Sequence, residues 1–135
     1  KGIIHSDPFI DNIFFYKNNF YGFIDFYFSA NYFLAYELAT CINALCFKKR
    51  NKIFVLDKKK SSQLLKGYQS VRKLSLKEKN NLNTLCRGSA LRYLLTRSYD
   101  FLNTPKNAII KIKDPLEYLH KLNLHRNLNS FKDYS

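Results

Sequence analysis

Near the start of this chain the stretch "HSDPFIDN" brings together a histidine, an acid and an amide as His5, Asp7 and Asn12, and a second acid, Asp25, follows in "GFIDF". These residue types suit phosphoryl transfer. That reaction asks a protein mainly to position the reactants and neutralise charge, so it uses hard oxygen ligands for a divalent cation and one carboxylate beside the acceptor hydroxyl. In the spacing H-x-D-x-x-x-x-N, Asp7 is the candidate for that carboxylate, orienting the hydroxyl and accepting its proton. Asn12, through its amide oxygen, and Asp25, through its carboxylate, are the candidates to hold Mg²⁺ against the phosphates of ATP. His5 reads as a brace for the loop. Alone, the loop has a plainer reading as a polar turn entering a strand, because Asp-Pro initiates turns. Asp25, beyond a hairpin, lifts it above that.

The elements that must place these groups begin with "NIFFYKNNFYGFIDF", two aromatic and β-branched runs around Asn18-Asn19. This predicts a β-hairpin with an even-numbered loop. If Asn18-Asn19 is the two-residue turn, Lys17 pairs with Phe20 and Asn12 falls opposite Asp25, so that both ligands share a face. A three-residue loop would pair Asn12 with Ile24 and turn Asp25 away. Both runs are apolar at consecutive positions, which predicts cover on both faces. From Asn31 to about Phe47 the chain is apolar nearly all round, with Glu37 its one charge, and predicts a buried helix packed on the hairpin. "KKRNKIFVLDKKK" reads as a charged connection, and "SSQLLKGYQSVR" as a short helix interrupted near Gly67. Ser75 and Glu78 form a capping-box signature that opens a long helix to about Leu102. After "NTPKN", Asp114 and Pro115 open a last short helix. His120 and His125 on it read as surface residues.

Composition narrows the function classes. The 135 residues suffice for one domain, with 46% apolar and 16% aromatic residues to build its core. No uncharged apolar run reaches the length of a membrane span. The net charge of +13 would ordinarily suggest nucleic acid. Here the lysines are scattered apart from Lys48-Lys49-Arg50 and Lys58-Lys59-Lys60, and the abundance of Asn, Ile, Phe and Tyr matches an AT-rich coding bias, so no nucleic-acid or membrane partner is expected. Cys41, Cys46 and Cys86 lie in apolar helical contexts without metal spacing, which predicts core thiols in a reducing, cytoplasmic compartment. Met is absent, and the chain reads as lacking a front portion.

The ordered blocks "GIIHSDPFIDNIFF", "GFIDFYFSANYFLAYELA", "INALCF", "GYQSVRKLS", "CRGSALRYLLTRSYDFLN" and "KDPLEYLHKL" resemble the C-terminal lobe of the homoserine kinase family, relatives of choline and aminoglycoside phosphotransferases. The resemblance implies an α+β, mostly α fold: the C-terminal lobe of a protein-kinase-like enzyme, spanning residues 1–135, with its catalytic hairpin packed on several helices. It implies ATP- and Mg²⁺-dependent phosphorylation of the L-homoserine hydroxyl in threonine biosynthesis, with Asp7 catalytic and Asn12 and Asp25 on the metal. The ATP-binding N-terminal lobe has no counterpart in the chain. Ser6 stands where the family usually has Gly or Ala, Pro8 where it has Leu, and Glu37, expected to brace the loop, where it has Asp. A homoserine carboxylate would suit Arg87, Arg92 or Arg97, and its ammonium Asp100 or Glu37. A related choline- or aminoglycoside-type kinase and a non-catalytic remnant are the alternatives.

Overall fold

The computed structural model describes residues 1–135 except Lys52, Lys106 and Lys111. Among the described residues the chain forms four helices and three two-stranded antiparallel sheets. Strand β1 (Gly2–Ile4) leads into the loop carrying Asp7, and a 3₁₀ turn at Ile10–Asn12 leads into the hairpin β2 (Ile13–Tyr16) and β3 (Asn19–Phe23). Another 3₁₀ turn at Phe26–Phe28 precedes β4 (Ala30–Tyr32), which returns to pair with β1 through Ile3↔Asn31. Helix α1 (Leu34–Leu45), the hairpin β5 (Phe47–Arg50) and β6 (Ile53–Leu56), then α2 (Lys58–Val71), α3 (Leu76–Asn103) and α4 (Leu116–Arg126) complete the order.

Local chemistry sets the helix ends. Ser75 accepts the Glu78 N–H while the Glu78 carboxylate accepts that of Ser75, so the capping box forms where the sequence writes it. Asp114 Oδ1 accepts the Leu116 N–H at 2.9 Å, although helical geometry starts one residue later than Pro115 at its first position would give. Asp57 caps α2 by accepting the Lys60 N–H.

Several expectations are corrected. Helix α1 starts at Leu34, because Ala30–Tyr32 is taken by pairing with β1. The connection at 47–56 is a β-hairpin, with Phe47↔Leu56 and Arg50↔Ile53 in register. Helix α2 runs through Gly67, which lies exposed with open space around its Cβ position; a single Gly costs about 1 kcal/mol against Ala and does not break a helix otherwise packed by Leu65.

The hairpin loop is indeed two residues long, but they are Lys17 and Asn18, at φ 46° and 64°, the left-handed pair a type I′ turn requires. Tyr16 therefore pairs with Asn19 and Phe15 with Phe20. A bulge then inserts Tyr21, so Phe14 meets Gly22 and Ile13 meets Phe23. The Ile24 N–H donates to the Asn12 carbonyl at 3.1 Å, so Asn12 lies opposite Ile24, not Asp25. Nor are the hairpin's faces covered: Phe14, Phe15, Phe20 and Tyr21 are all exposed, Tyr21 at 78%. Helix α1 turns its apolar side to α3 instead, leaving the ribbon without a helix over it.

The core lies between α1, α2 and α3, where Leu38, Ala39, Ile42, Leu65, Leu74, Leu82, Cys46 and Cys86 are buried with Tyr134 from the C-terminal turn. Burying each leucine contributes about 1.5–3 kcal/mol. His125 belongs to this core and not to the surface. Its Nδ1 accepts from Tyr134 Oη at 2.8 Å and its Nε2–H donates to Asn43 Oδ1 at 3.0 Å, a fully satisfied neutral ring. The spacing of α4 hid this, because the ring is buried by the C-terminal turn that folds back over it.

Burial, aided by the nearby Lys121 ammonium, pushes the His125 imidazole from its ordinary 6.5 down to about 4. The unfolded chain therefore binds a proton that the native state refuses, and stability is complete above pH 6.5 and lost as pH falls toward 4. The loss is about 3 kcal/mol. Glu37, raised by burial, titrates with the opposite sign, so the measurement is urea unfolding at pH 7 and pH 4.5 of the wild type against His125→Gln. Equal pH dependence in the two proteins would remove His125 as the cause.

Candidate active site

Four segments converge on Asp7. The loop itself is strained at Ser6, whose φ of 70° costs a non-glycine residue about 1–2 kcal/mol. Ser6 is clamped on both sides. Its N–H donates to Glu37 Oε2 at 2.8 Å, and its carbonyl accepts from Arg92 Nη1 at 2.8 Å and lies 2.9 Å from Tyr93 Oη. Burial raises the Glu37 carboxyl above its ordinary range, partly opposed by the Ser6 N–H and by the positive field of Arg92.

His5 ties the loop to the end of the hairpin. Its Nδ1 accepts the Asp7 N–H at 3.2 Å, which leaves Nε2–H to donate to the Ile24 carbonyl at 2.8 Å. The ring also packs on Phe26, with centroids 4.7 Å apart. The residues flanking Asp25 on both sides are thus fixed to the residue two places before Asp7. Asp25 itself takes a left-handed conformation, φ 62° and ψ 64°, which ends the strand, so the period-two rule that placed it opposite Asn12 does not reach it.

The Asp7 carboxylate has two protein donors. Tyr93 Oη lies 2.9 Å from Oδ1 and Asn12 Nδ2 lies 3.3 Å from Oδ2, with the same amide nitrogen 2.9 Å from the Asp7 carbonyl. With its nitrogen turned to Asp7, Asn12 keeps its amide oxygen free of partners among the described residues. The exposed Asp25 carboxylate is likewise without a hydrogen-bond or ion-pair partner there. Two unengaged hard oxygens are of the type that fits Mg²⁺, which takes one or two protein ligands and completes its shell with phosphate and water. The described residues contain no group of three or more His, Cys, Asp or Glu side chains able to hold a metal alone. Pro8 is fully buried and Asp7 keeps these contacts beside it.

The four α3 candidates separate. Arg87 and Asp100 are exposed. Arg92 grips Ser6, with its guanidinium 4.9 Å from the Tyr93 ring and 5.4 Å from that of Phe28. Arg97 is buried against Glu117 Oε2 at 2.7 Å and sits 4.5 Å above the Tyr118 ring. Sequence reasoning missed Tyr93, Glu117 and Lys121. A tyrosine on the apolar arc of a helix reads as core, and only proximity across 86 residues shows its hydroxyl against an acid.

The fold and this loop define a class, and the comparison with known sequences agrees: the phosphotransferase enzyme family matches residues 1–74, from β1 past the end of α2. The chain belongs to that family. It is similar to the homoserine kinase of Sinorhizobium fredii, 50% identical over 134 residues, which are 99% of this chain and 40% of that protein. The homoserine kinase of Rhizobium etli is also 50% identical over 134 residues, and that of Brucella anthropi 46% over 134. The chain spans about 40% of the length of these relatives. No helix among the described residues is long and apolar enough to cross a membrane.

Proposed function

We propose that this chain is the catalytic-loop and substrate lobe of a cytoplasmic homoserine kinase, which phosphorylates the L-homoserine hydroxyl from ATP. The observation that carries the reading is the set of contacts on Asp7: an acid held by two donors, next to an amide whose oxygen is free, within a family of phosphotransferases. Asp7 receives the acceptor's proton as the hydroxyl oxygen attacks. Asn12 and Asp25 would hold Mg²⁺, and the ion would supply charge neutralisation for the phosphates. His5 and Glu37 keep the loop in its left-handed turn, so the carboxylate needs no rearrangement during reaction. Arg92 lines a groove of about 390 Å³ together with Ser6, Tyr32 and Tyr36, and its remaining guanidinium edge suits the homoserine carboxylate. Arg87 and Asp100 on the exposed side of α3 are further candidates for the amino acid's charged ends, whereas Arg97 is already occupied by Glu117.

The exposed aromatics of the β2–β3 hairpin support the rest of the assignment. Exposed aromatics of this kind mark an interface, and in this reading a nucleotide-binding lobe is what covers them. The test is Mg²⁺- and ATP-dependent phosphorylation of L-homoserine by the chain alone, and by a chimera in which it replaces the matching part of the Sinorhizobium fredii enzyme. Turnover by the chimera is expected. Phosphorylation of choline or an aminoglycoside in place of homoserine would move the acceptor, and a folded, ATP-binding chimera inert toward all three would end the proposal.

A further inference from the structure

The Ser6 carbonyl and Asp7 Oδ1 both lie 2.9 Å from one atom, the Tyr93 hydroxyl oxygen, and that oxygen carries one hydrogen. The two acceptors are not equally provided for. Ser6 already receives a charged donor from Arg92 at 2.8 Å, whereas Asp7 Oδ1 has no other donor among the described residues. A carboxylate is also the stronger acceptor. The hydrogen therefore goes to Asp7.

We propose that Tyr93 is a positioning residue for Asp7: its hydroxyl holds Oδ1, fixes the side-chain rotamer of Asp7 about Cα–Cβ and leaves Oδ2 to receive the substrate proton. This rests on the reading of Asp7 as the base. The division of labour between neighbours on α3 is then clear, Arg92 holding the loop's backbone and Tyr93 its functional group. The tyrosine is itself well fixed. Its ring is buried, edge-on to Phe9 with centroids 5.1 Å apart and 5.1 Å from the ring of Tyr118, so the hydroxyl cannot follow Asp7 if the acid turns. The contact of Asn12 with Oδ2 is longer, at 3.3 Å, which makes that oxygen the more readily reached by an incoming hydroxyl. Tyr118, whose own hydroxyl is buried without a partner among the described residues, packs at a tilt of 35° against Tyr93 and gives Asp7 no hydrogen bond.

Tyr93→Phe removes the hydroxyl and keeps the ring. The first readout needs no turnover: three-bond couplings across Cα–Cβ of Asp7, measured by NMR on the 135-residue chain. A single side-chain rotamer is expected in the wild type and averaging in Tyr93→Phe, with backbone amide shifts of α1 and α3 away from residue 93 unchanged. Should the variant fail to fold, the Ser6→Gly background relaxes the left-handed residue and carries the same comparison. In the chimera, kcat is expected to fall about 10- to 100-fold, the worth of one hydrogen bond to a charged group, with KM for homoserine unchanged. Identical Asp7 couplings in both proteins would overturn the proposal. So would averaged couplings with undiminished kcat in a chimera that Asp7→Asn inactivates. If Asp7→Asn itself left turnover intact, the base reading would fail instead, and the couplings would still decide whether Tyr93 holds the carboxylate.

Discussion

Asp7→Asn, made in the chimera, is expected to lower kcat by about 10²- to 10⁴-fold, the usual worth of a positioned general base, with a much smaller change in KM for ATP. The substitution is nearly isosteric. Asn can still accept from Tyr93 through its amide oxygen, which lies 2.9 Å away as Oδ1 in the native residue. What it cannot do is accept a proton, and its NH₂ would face the Asn12 amide nitrogen, donor against donor, where Oδ2 now stands at 3.3 Å. The loop's other anchors do not use the carboxylate. Ser6 stays clamped by Glu37 and Arg92, and the Asp7 N–H stays on His5, so melting temperature should change little. The pair of measurements matters more than either alone. Loss of kcat with an unchanged transition assigns chemistry to Asp7, whereas a comparable loss of stability would make it a structural residue of the turn.

Glu117→Ala is expected to produce the largest loss of stability. The Glu117 carboxylate receives Arg97 Nη1 at 2.7 Å on one oxygen and Lys121 Nζ at 2.5 Å on the other. Both cationic side chains are almost fully removed from solvent, at 9% and 3% exposure. Burial pushes the Glu117 carboxyl up, but the bonds from Lys121 and Arg97 together outweigh it and hold the group below its ordinary range. Its contribution is therefore present at neutral pH and lost as pH falls through that lowered value. Removing the acid leaves two buried cations with, among the described residues, the Asn43 and Asp114 carbonyls and the aromatic faces around them. Breaking one member out of a buried ionic group typically costs about 3–5 kcal/mol, a large part of the 5–15 kcal/mol that holds a domain together. For a chain of this size that is on the order of 10 °C or more in Tm. Thermal unfolding checks it, with Glu117→Ala/Lys121→Met as the control. Taking away one stranded charge along with its partner should recover part of the loss, and a double variant no more stable than the single one would show that the damage is a cavity and not an unpaired cation.

The sequence was most informative at short range. The spacing from His5 to Asn12 lies within one loop, so short-range geometry alone brings Asn12 to Asp7. The caps at Ser75 and Asp114 were legible for the same reason, since a cap is made by residues two or three apart. The hairpin marks the limit of that logic. Its loop length followed from residues that tolerate positive φ, but the choice of Lys17-Asn18 over Asn18-Asn19 and the bulge at Tyr21 moved the register by one, because several pairings of an aromatic-rich ribbon have similar local energy. Asp25 escaped the alternation altogether by adopting a left-handed backbone.

The sequence by itself determined the chemistry available: an acid, an amide and a second acid in one order, braced by a histidine, on a chain whose helices could be read from their caps and apolar arcs. Only the tertiary structure decided which distant groups are packed against that loop. Tyr93 and Arg92 reach Ser6 and Asp7 across some 86 residues, Glu117 holds Arg97 in an ion pair, and His125 disappears into the core. The physical reason is common to all of these. A local motif fixes its own geometry through short loops with little entropy to lose, whereas the burial of a hydroxyl, a guanidinium or an imidazole depends on which helix faces pack together, and helix faces of similar composition leave that choice to the sum of the contacts.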